Sequence, residues 1–203
     1  VFVFDGRPHD LKRETLDGRK ERKLNAIARW EAAMEAGDLP AAKKLGPQTA
    51  EYTREMVEET KRLFEHMGVV WLEAPMEAEG AAAVRCARGE VGAVASQDWD
   101  TLLYGAPVMV RNLTSHGTRR FGRALHAERI VLSDMLEAHG ISREQLVDMG
   151  IMIGTDFHPG IKGIGPKTGL KLIQKHGTME AVAEARGFDL PENLDLVREL
   201  FME

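Results

Sequence analysis

Cysteine is almost missing from this 203-residue chain: Cys86 stands alone, so no internal disulfide can form and nothing points to an oxidising compartment. Long apolar runs are missing too, and none approaches the ~20 residues that a membrane span needs. A membrane partner is therefore not expected, nor is secretion. Aromatic residues make up only 6% of the chain, and Trp30, Trp71 and Trp99 fall on different predicted elements. They form no stacking platform for bases and read as core or boundary packing. Trp99 lies between Asp98 and Asp100, and extended backbone there would turn it away from them. No two histidines have metal-ligand spacing. His9 and His158 lie near acidic motifs, whereas His66, His139 and His176 each precede glycine and read as helix-end residues. No start methionine or signal peptide precedes Val1-Phe2-Val3-Phe4, an apolar run that reads as a strand buried on both faces, and the N-terminus of a longer protein is expected to be absent.

What is present fits a globular chain. Hydrophobic residues are 43% and charged residues 29%, and a chain of this length should bury roughly 70% of its extended surface in one sizeable core or two small ones. Met149 and Met152, two of ten methionines, read as core filling, and Cys86 as a buried thiol. The net charge of −5 conceals a local asymmetry. Between Lys12 and Arg29 the bases Lys12, Arg13, Arg19, Lys20, Arg22, Lys23 and Arg29 face only Glu14, Asp17 and Glu21, which leaves that segment at +4.

The pattern predicts a helix over about 11–36 ending at Gly37, with Asp17-Gly18 as its weak point, and a second helix from about Thr49 to Gly68. A strand over Val69–Leu72 precedes a helix over about 77–88 that Gly89 stops. Strands follow at Val91–Ala95 and around Val108–Val110, and the remainder reads as helical. Strands alternating with helices imply crossovers, hence an α/β fold with a mostly parallel twisted sheet flanked by helices. In such sheets ligands bind outside the carboxyl ends of the strands.

Those ends carry acids. Asp5 follows the first strand, Glu77 and Glu79 the second, Asp98 and Asp100 the third; Asp156 follows a predicted helix over 143–153. Each acid alone has an ordinary reading as a helix cap or turn residue. Together they would repel one another in a cleft unless cations neutralise them. Oxygen-only ligands suit Mg²⁺ or Mn²⁺, and two such ions about 4 Å apart stabilise both the attacking and leaving oxygens of a phosphodiester displacement. A second motif, Gly160-Ile161-Lys162-Gly163-Ile164-Gly165-Pro166-Lys167-Thr168, feeds a helix predicted to run to His176. Glycines let backbone approach a phosphate, and Lys162 and Lys167 add charge. The alternative is an ordinary turn between helices.

Asp5-Gly6 with Pro8, Pro75-Met76-Glu77-Ala78-Glu79, Ser96-Gln97-Asp98-Trp99-Asp100, Gly154-Thr155-Asp156 and Gly163-Ile164-Gly165-Pro166-Lys167 occur in the order and approximate spacing of flap endonucleases. The chain resembles the archaeal and eukaryotic structure-specific 5′ nucleases of that family over nearly its whole length. The resemblance implies a single PIN-like 5′ nuclease core over residues 1–203, truncated at its N-terminus. It would contain a helical arch over about 8–37 and a Gly-rich helix-turn-helix over about 142–180 that binds duplex. The implied activity is Mg²⁺-dependent 5′ flap endonuclease with 5′-3′ exonuclease capacity, in replication and repair, by a monomer.

Carried over motif by motif, Asp5, Glu77 and Glu79 would surround one of two Mg²⁺ ions and Asp98 and Asp100 the other, with Asp156 supporting the cluster; Mn²⁺ would substitute. Lys12 and Arg19 would contact the scissile phosphate, with Arg13, Lys20, Arg22 and Lys23 lining the arch. Backbone carbonyls of Gly160, Ile161 and Ile164 would hold K⁺, and Lys162, Gly163, Gly165 and Lys167 would meet the DNA backbone. The partner is branched DNA carrying a 5′ flap. In the full-length protein a C-terminal tail would bind a sliding clamp; that tail and the family's N-terminal segment, the latter with a further metal-binding aspartate, are expected to be absent from this chain. The alternative function is a catalytically impaired binder of branched DNA. The expected location is cytoplasmic in an archaeon and nuclear in a eukaryote.

Overall fold

A computed structural model describes residues 1–115, 117–120 and 123–202. The chain divides into two compact units, one of Val1–Phe2 and Pro8–Leu72, the other of Val3–Arg7 and Glu73–Glu203.

The first unit is helical. A 3-10 turn at Asp10–Lys12, capped by His9 Nδ1 accepting from Leu11 N–H at 3.2 Å, runs into α1 (Arg13–Glu35). This helix of 23 residues passes through Asp17-Gly18 unbroken and ends at Gly37, whose φ of 71° is left-handed. The stretch before Thr49, where the sequence reading placed no helix, forms α2 (Leu39–Thr49). Its start signal is in the sequence: the Asp38 carboxylate accepts from Ala41 N–H at 3.0 Å, and Pro40 occupies the first turn, where no amide hydrogen is needed. The expected second helix therefore starts late, as α3 (Arg54–His66), with Thr53 as its cap. Lys61 on α3 is buried, paired with Glu58 at 2.8 Å and 5.1 Å from the centre of the Trp71 ring.

Strands β1 (Phe2–Phe4) and β2 (Trp71–Glu73) form a two-stranded sheet. Phe2 N–H donates to the Val70 carbonyl and Ala74 N–H to the Phe4 carbonyl, so both advance in the same direction, as in a parallel pair.

In the second unit α4 (Ala78–Ala87) leads to β3 (Val94–Ala95), the short α5 (Asp100–Leu103) and β4 (Val108–Arg111). β3 pairs in parallel with β4, Val94 opposite Met109. The expectation of helix alone beyond this point fails. β5 (Arg119–Arg120) and β6 (Arg123–Ala124) pair as a small ribbon, and β7 (Glu128–Val131) lies antiparallel to β4. β7 escapes sequence detection because only Ile130 and Val131 of its four residues are apolar and the sheet ends there. The α/β class holds, with this antiparallel edge added.

Five helices complete the unit: α6 (Leu132–His139), α7 (Arg143–Ile153), α8 (Pro166–His176), α9 (Met179–Arg186) and α10 (Leu194–Met202). Ser142 and Gln145 cap α7 reciprocally. Val147, Ile151, Met152, Ile173, Met179, Val182, Val197 and Phe201 exclude solvent almost completely between these helices. Met149 is half-buried, and Cys86 is buried with Ala83, Val94 and Ala106.

Asp148 is the charged residue within this packing. Its carboxylate accepts from Met179 N–H at 3.0 Å and from Arg198 at 2.7 and 2.9 Å, and Arg198 also reaches Glu180. This ties α7, the start of α9 and α10 together, and the paired guanidinium holds the Glu180 carboxylate down to about pKa 2.

Candidate metal centre

The chain leaving β1 can run against Ala74-Pro75 only because residue 6 is glycine. A Cβ there would sit 1.9 Å from the Ala74 carbonyl oxygen. Gly6 N–H donates to the Met76 carbonyl at 2.7 Å, and the Asp5 carboxylate accepts from Ala78 N–H at 2.9 Å. Asp5 thus satisfies a free amide at the start of α4, and Glu77 makes no capping bond. The ordinary reading of these acids as cap or turn residues applies to Asp5, across 73 residues of sequence, and to Asp98, whose carboxylate accepts from Asp100 N–H.

Asp5, Glu77 and Glu79 each offer a carboxylate oxygen, and the three oxygens lie within 4.8 Å of one another. Glu79 is half-buried, and the Ser96 hydroxyl donates to its Oε1 at 3.4 Å. The same hydroxyl accepts from Asp98 N–H at 3.1 Å, and the Asp98 carboxylate accepts from Asp100 N–H at 3.1 Å. A continuous hydrogen-bond relay therefore joins the acids after β2 to those after β3. Burial first, and then the charges of Asp5, Asp98 and Glu77, push the Glu79 carboxyl above its ordinary range.

Tyr104 extends the cluster. Burial and then the charges of Glu77, Asp100, Glu79 and Asp156 raise its phenol far above normal, so Asp156 belongs to the same field of charge. The ring packs 4.9 Å from that of Phe201, and a Cβ on Gly80 would approach it to 3.2 Å. Sequence reasoning gave Ser96 and Tyr104 no role. Ser96 had a signal, a hydroxyl two residues before an acid, whereas Tyr104 in Leu102-Leu103-Tyr104 reads as core. Trp99 departs from the packing reading: it is 51% exposed, and the Arg111 guanidinium lies 4.2 Å from its ring centre.

The donors are oxygens alone, some half-buried and all of one sign. Such a set suits a hard divalent cation, which offsets their repulsion.

The Gly-rich turn is also built tightly. Gly160 and Gly163 take left-handed φ of 85° and 87°, and a Cβ on Gly160 would lie 2.5 Å from the Ile153 carbonyl oxygen. His158, which had no assigned role, accepts from Gly160 N–H at 3.1 Å. Ile161 N–H donates to Met152 and its carbonyl accepts from Ile164 N–H, which leaves that oxygen one lone pair. Gly165 precedes α8, and Lys162 and Lys167 are exposed beside this helix start.

In the helical unit Arg13, Arg19, Lys20 and Arg22 are exposed and Lys12, at the end of the 3-10 turn, is half-buried. Lys23 lies 3.3 Å from Glu51, and Arg22 Nε donates to the Gly18 carbonyl at 3.1 Å.

The XPG I-region family matches residues 68–156, the stretch that carries Glu77, Glu79, Asp98, Asp100 and Asp156. Flap endonuclease 1 of Methanosarcina barkeri is 45% identical across 99% of this chain and 61% of its own length. The solved flap endonuclease-1 from Methanococcus jannaschii superposes with a TM-score of 0.70 at 38% identity, over all of this chain and 61% of its own. The chain is thus similar to flap endonucleases over nearly its whole length. The catalytic core of Rad2 in complex with DNA substrate shares the fold, with a TM-score of 0.72 at 22% identity over all of this chain and 65% of its own. The chain spans about three fifths of the length of the curated relatives it matches. The family is one of metal-dependent nucleases, and Asp5, Glu77 and Glu79 form an acidic cluster that fits such an ion.

Proposed function

We propose that this chain is the core of a Mg²⁺-dependent, structure-specific nuclease that hydrolyses a DNA phosphodiester where a 5′ flap leaves a duplex. The observation that carries the reading is the half-buried Glu79 among Asp5, Glu77 and Asp98: oxygen ligands from three distant stretches, in a chain whose relative is named Flap endonuclease 1. Asp5, Glu77 and Glu79 would hold one ion and Asp98 and Asp100 a second, with Asp156 adding negative field. Bound there, the ions supply water activation and neutralise charge on the departing 3′ oxygen. Mn²⁺ would serve in place of Mg²⁺.

The chain's own groups do the rest. Ser96 orients the Glu79 carboxylate through its hydroxyl. Lys12 and Arg19 bring positive charge to the scissile phosphate, and Arg13, Lys20, Arg22 and Lys23 draw the single-stranded flap. Lys162 and Lys167, with the amides at the start of α8, hold a duplex phosphate, and the carbonyls of Gly160, Ile161 and Ile164 take K⁺ beside it.

The test is a labelled 5′-flap duplex incubated with the chain and Mg²⁺. Cleavage at the junction, lost in Asp98→Asn and on chelation while DNA binding persists, supports the reading. Binding without cleavage would leave recognition of branched DNA alone, and neither would refute both.

A further inference from the structure

Arg111 ends β4, and no part of the proposed chemistry uses it. Its strand runs in parallel beside β3, Ala95 opposite Val110, and Ser96 N–H continues the ladder by donating to the Val110 carbonyl at 3.2 Å. The backbone carrying Asp98 and Asp100 therefore leaves the sheet directly alongside Arg111. From there the guanidinium makes two contacts. Nη2 donates to the Gln97 carbonyl at 3.4 Å, and the guanidinium carbon lies 4.2 Å from the centre of the Trp99 ring. Gln97 and Trp99 are the two residues that flank Asp98.

The arrangement has a cost that structure alone does not account for. Arg111 Nε is buried and has no acceptor among the described residues, which folding alone disfavours. The core holds α5 through Thr101, Leu102 and Leu103, but Gln97, Asp98 and Trp99 ahead of it are exposed, so packing does little to fix the turn that carries Asp98. What does fix it is a chain of directed contacts: Arg111 to Gln97 and Trp99 on either side, Asp98 N–H to Ser96 Oγ, and Asp100 N–H to the Asp98 carboxylate. A metal ion tolerates little misplacement of its ligands, and groups that only orient those ligands still set affinity.

We propose that Arg111 is a positioning residue for the metal centre: it clamps the turn around Asp98 through the Gln97 carbonyl and the Trp99 ring, and so presets Asp98 and Asp100 for a divalent cation. Planarity is essential to the role, because one flat group stacks on an indole while its edge donates to a carbonyl. A lysine keeps the charge and loses both geometries. The inference rests on the metal-dependent reading above, and its test separates the two.

The experiment is calorimetric titration of Mn²⁺ into the full chain, without DNA, for the native sequence, Arg111→Lys, Trp99→Leu and Trp99→Phe, with thermal melts to verify folding. Arg111→Lys is expected to bind Mn²⁺ about tenfold more weakly, the lower end of what loss of a ligand-orienting partner costs. Trp99→Leu should weaken binding in the same direction, and Trp99→Phe, which restores a flat ring, should recover native affinity. On flap DNA, Arg111→Lys should regain the native rate at about tenfold higher Mn²⁺ with KM for DNA unchanged. Native affinity in folded Arg111→Lys overturns the positioning role alone, as does equal weakening by Trp99→Leu and Trp99→Phe. Failure of the native chain to bind Mn²⁺ overturns the metal reading and this inference with it.

Discussion

The two units of this chain solve opposite problems. Among the described residues of the Pro8–Leu72 unit, the strongly buried side chains are Ala26, Ala42, Leu45 and Lys61, three of them small or charged. Its longest helix, α1, buries Ala26 alone and carries six of the seven bases between Lys12 and Arg29. The Glu73–Glu203 unit instead closes Val147, Ile151, Met152, Ile173, Met179, Val182, Val197 and Phe201 to solvent at 0–1%. A helix that buries so little leans on its own backbone hydrogen bonds and on α2 beside it, and its opening free energy is expected to be low. A packed interior is what keeps repelling carboxylates within 4.8 Å of each other. The difference teaches that charge can be displayed on a lightly packed scaffold, whereas charge convergence requires a stiff one.

The largest effect should come from breaking the stiff unit at the buried ionic knot of Asp148 and Arg198. Arg198→Met leaves Asp148 buried and without its partner, an expected loss of about 3 kcal/mol in urea unfolding. Lys61→Met in the other unit removes a charge whose partner Glu58 is exposed, and should be neutral or slightly stabilising. Equal losses from the two would erase the contrast. The knot also sets an acid limit. Glu180 is held to about pKa 2, chiefly by its bond to Arg198, so its contribution is present above the ordinary glutamate range and disappears as pH falls from about 4.3 toward 2. Its half-exposed carboxylate is screened, so the step is small, and it should vanish in Glu180→Gln.

A mid-sized effect lies in the carboxylates themselves. The Glu79 carboxyl is raised, so the folded chain holds that proton more tightly than the unfolded chain does. Above the ordinary glutamate range the unfolded state is ionised and the folded state must accommodate a buried charge beside Asp5, Asp98 and Glu77. Stability from this group therefore falls as pH rises from about 4.3. Glu79→Gln should raise the metal-free Tm at pH 7 by about 2–4 °C, the scale of ~1 kcal/mol for this chain length, and should lose the further stabilisation that the proposed metal site predicts on adding Mg²⁺ to the native chain. A lower metal-free Tm in Glu79→Gln would mean the cluster is a structural network and not a held repulsion.

How much of this was legible depended on whether the signal was local. The nearness of Asp5, Glu77 and Glu79, and their link through Ser96 to Asp98 and Asp100, was readable because each acid follows an apolar strand run, and strand ends in an α/β fold share an edge. Helix α7 was read at its observed bounds because Ser142 and Gly154 punctuate it. α2 escaped the apolar pattern because Gly46 and Pro47 interrupt it, although Asp38 and Pro40 announce its start. β7 had too few apolar residues to register. The Ser96 relay, the Tyr104 phenol within the acids and the Arg111 clamp are contacts between elements, which no spacing along the chain encodes.

The smallest effect tests the lightly packed unit at Gly18. This residue sits inside α1 with a helical φ, and a Cβ built on it meets nothing within 4 Å. Gly18→Ala therefore adds no clash and removes only backbone freedom, which stabilises a helix interior by about 0.5–1 kcal/mol. Because α1 is held by local hydrogen bonds, that gain should appear locally: amide hydrogen exchange slowing about threefold to fivefold through the turns around Gly18. Amides of α7 and α9, which open only with the packed interior, should not change. If protection instead rose equally in both units, α1 would open only together with the core, and the contrast in packing would have no dynamic counterpart.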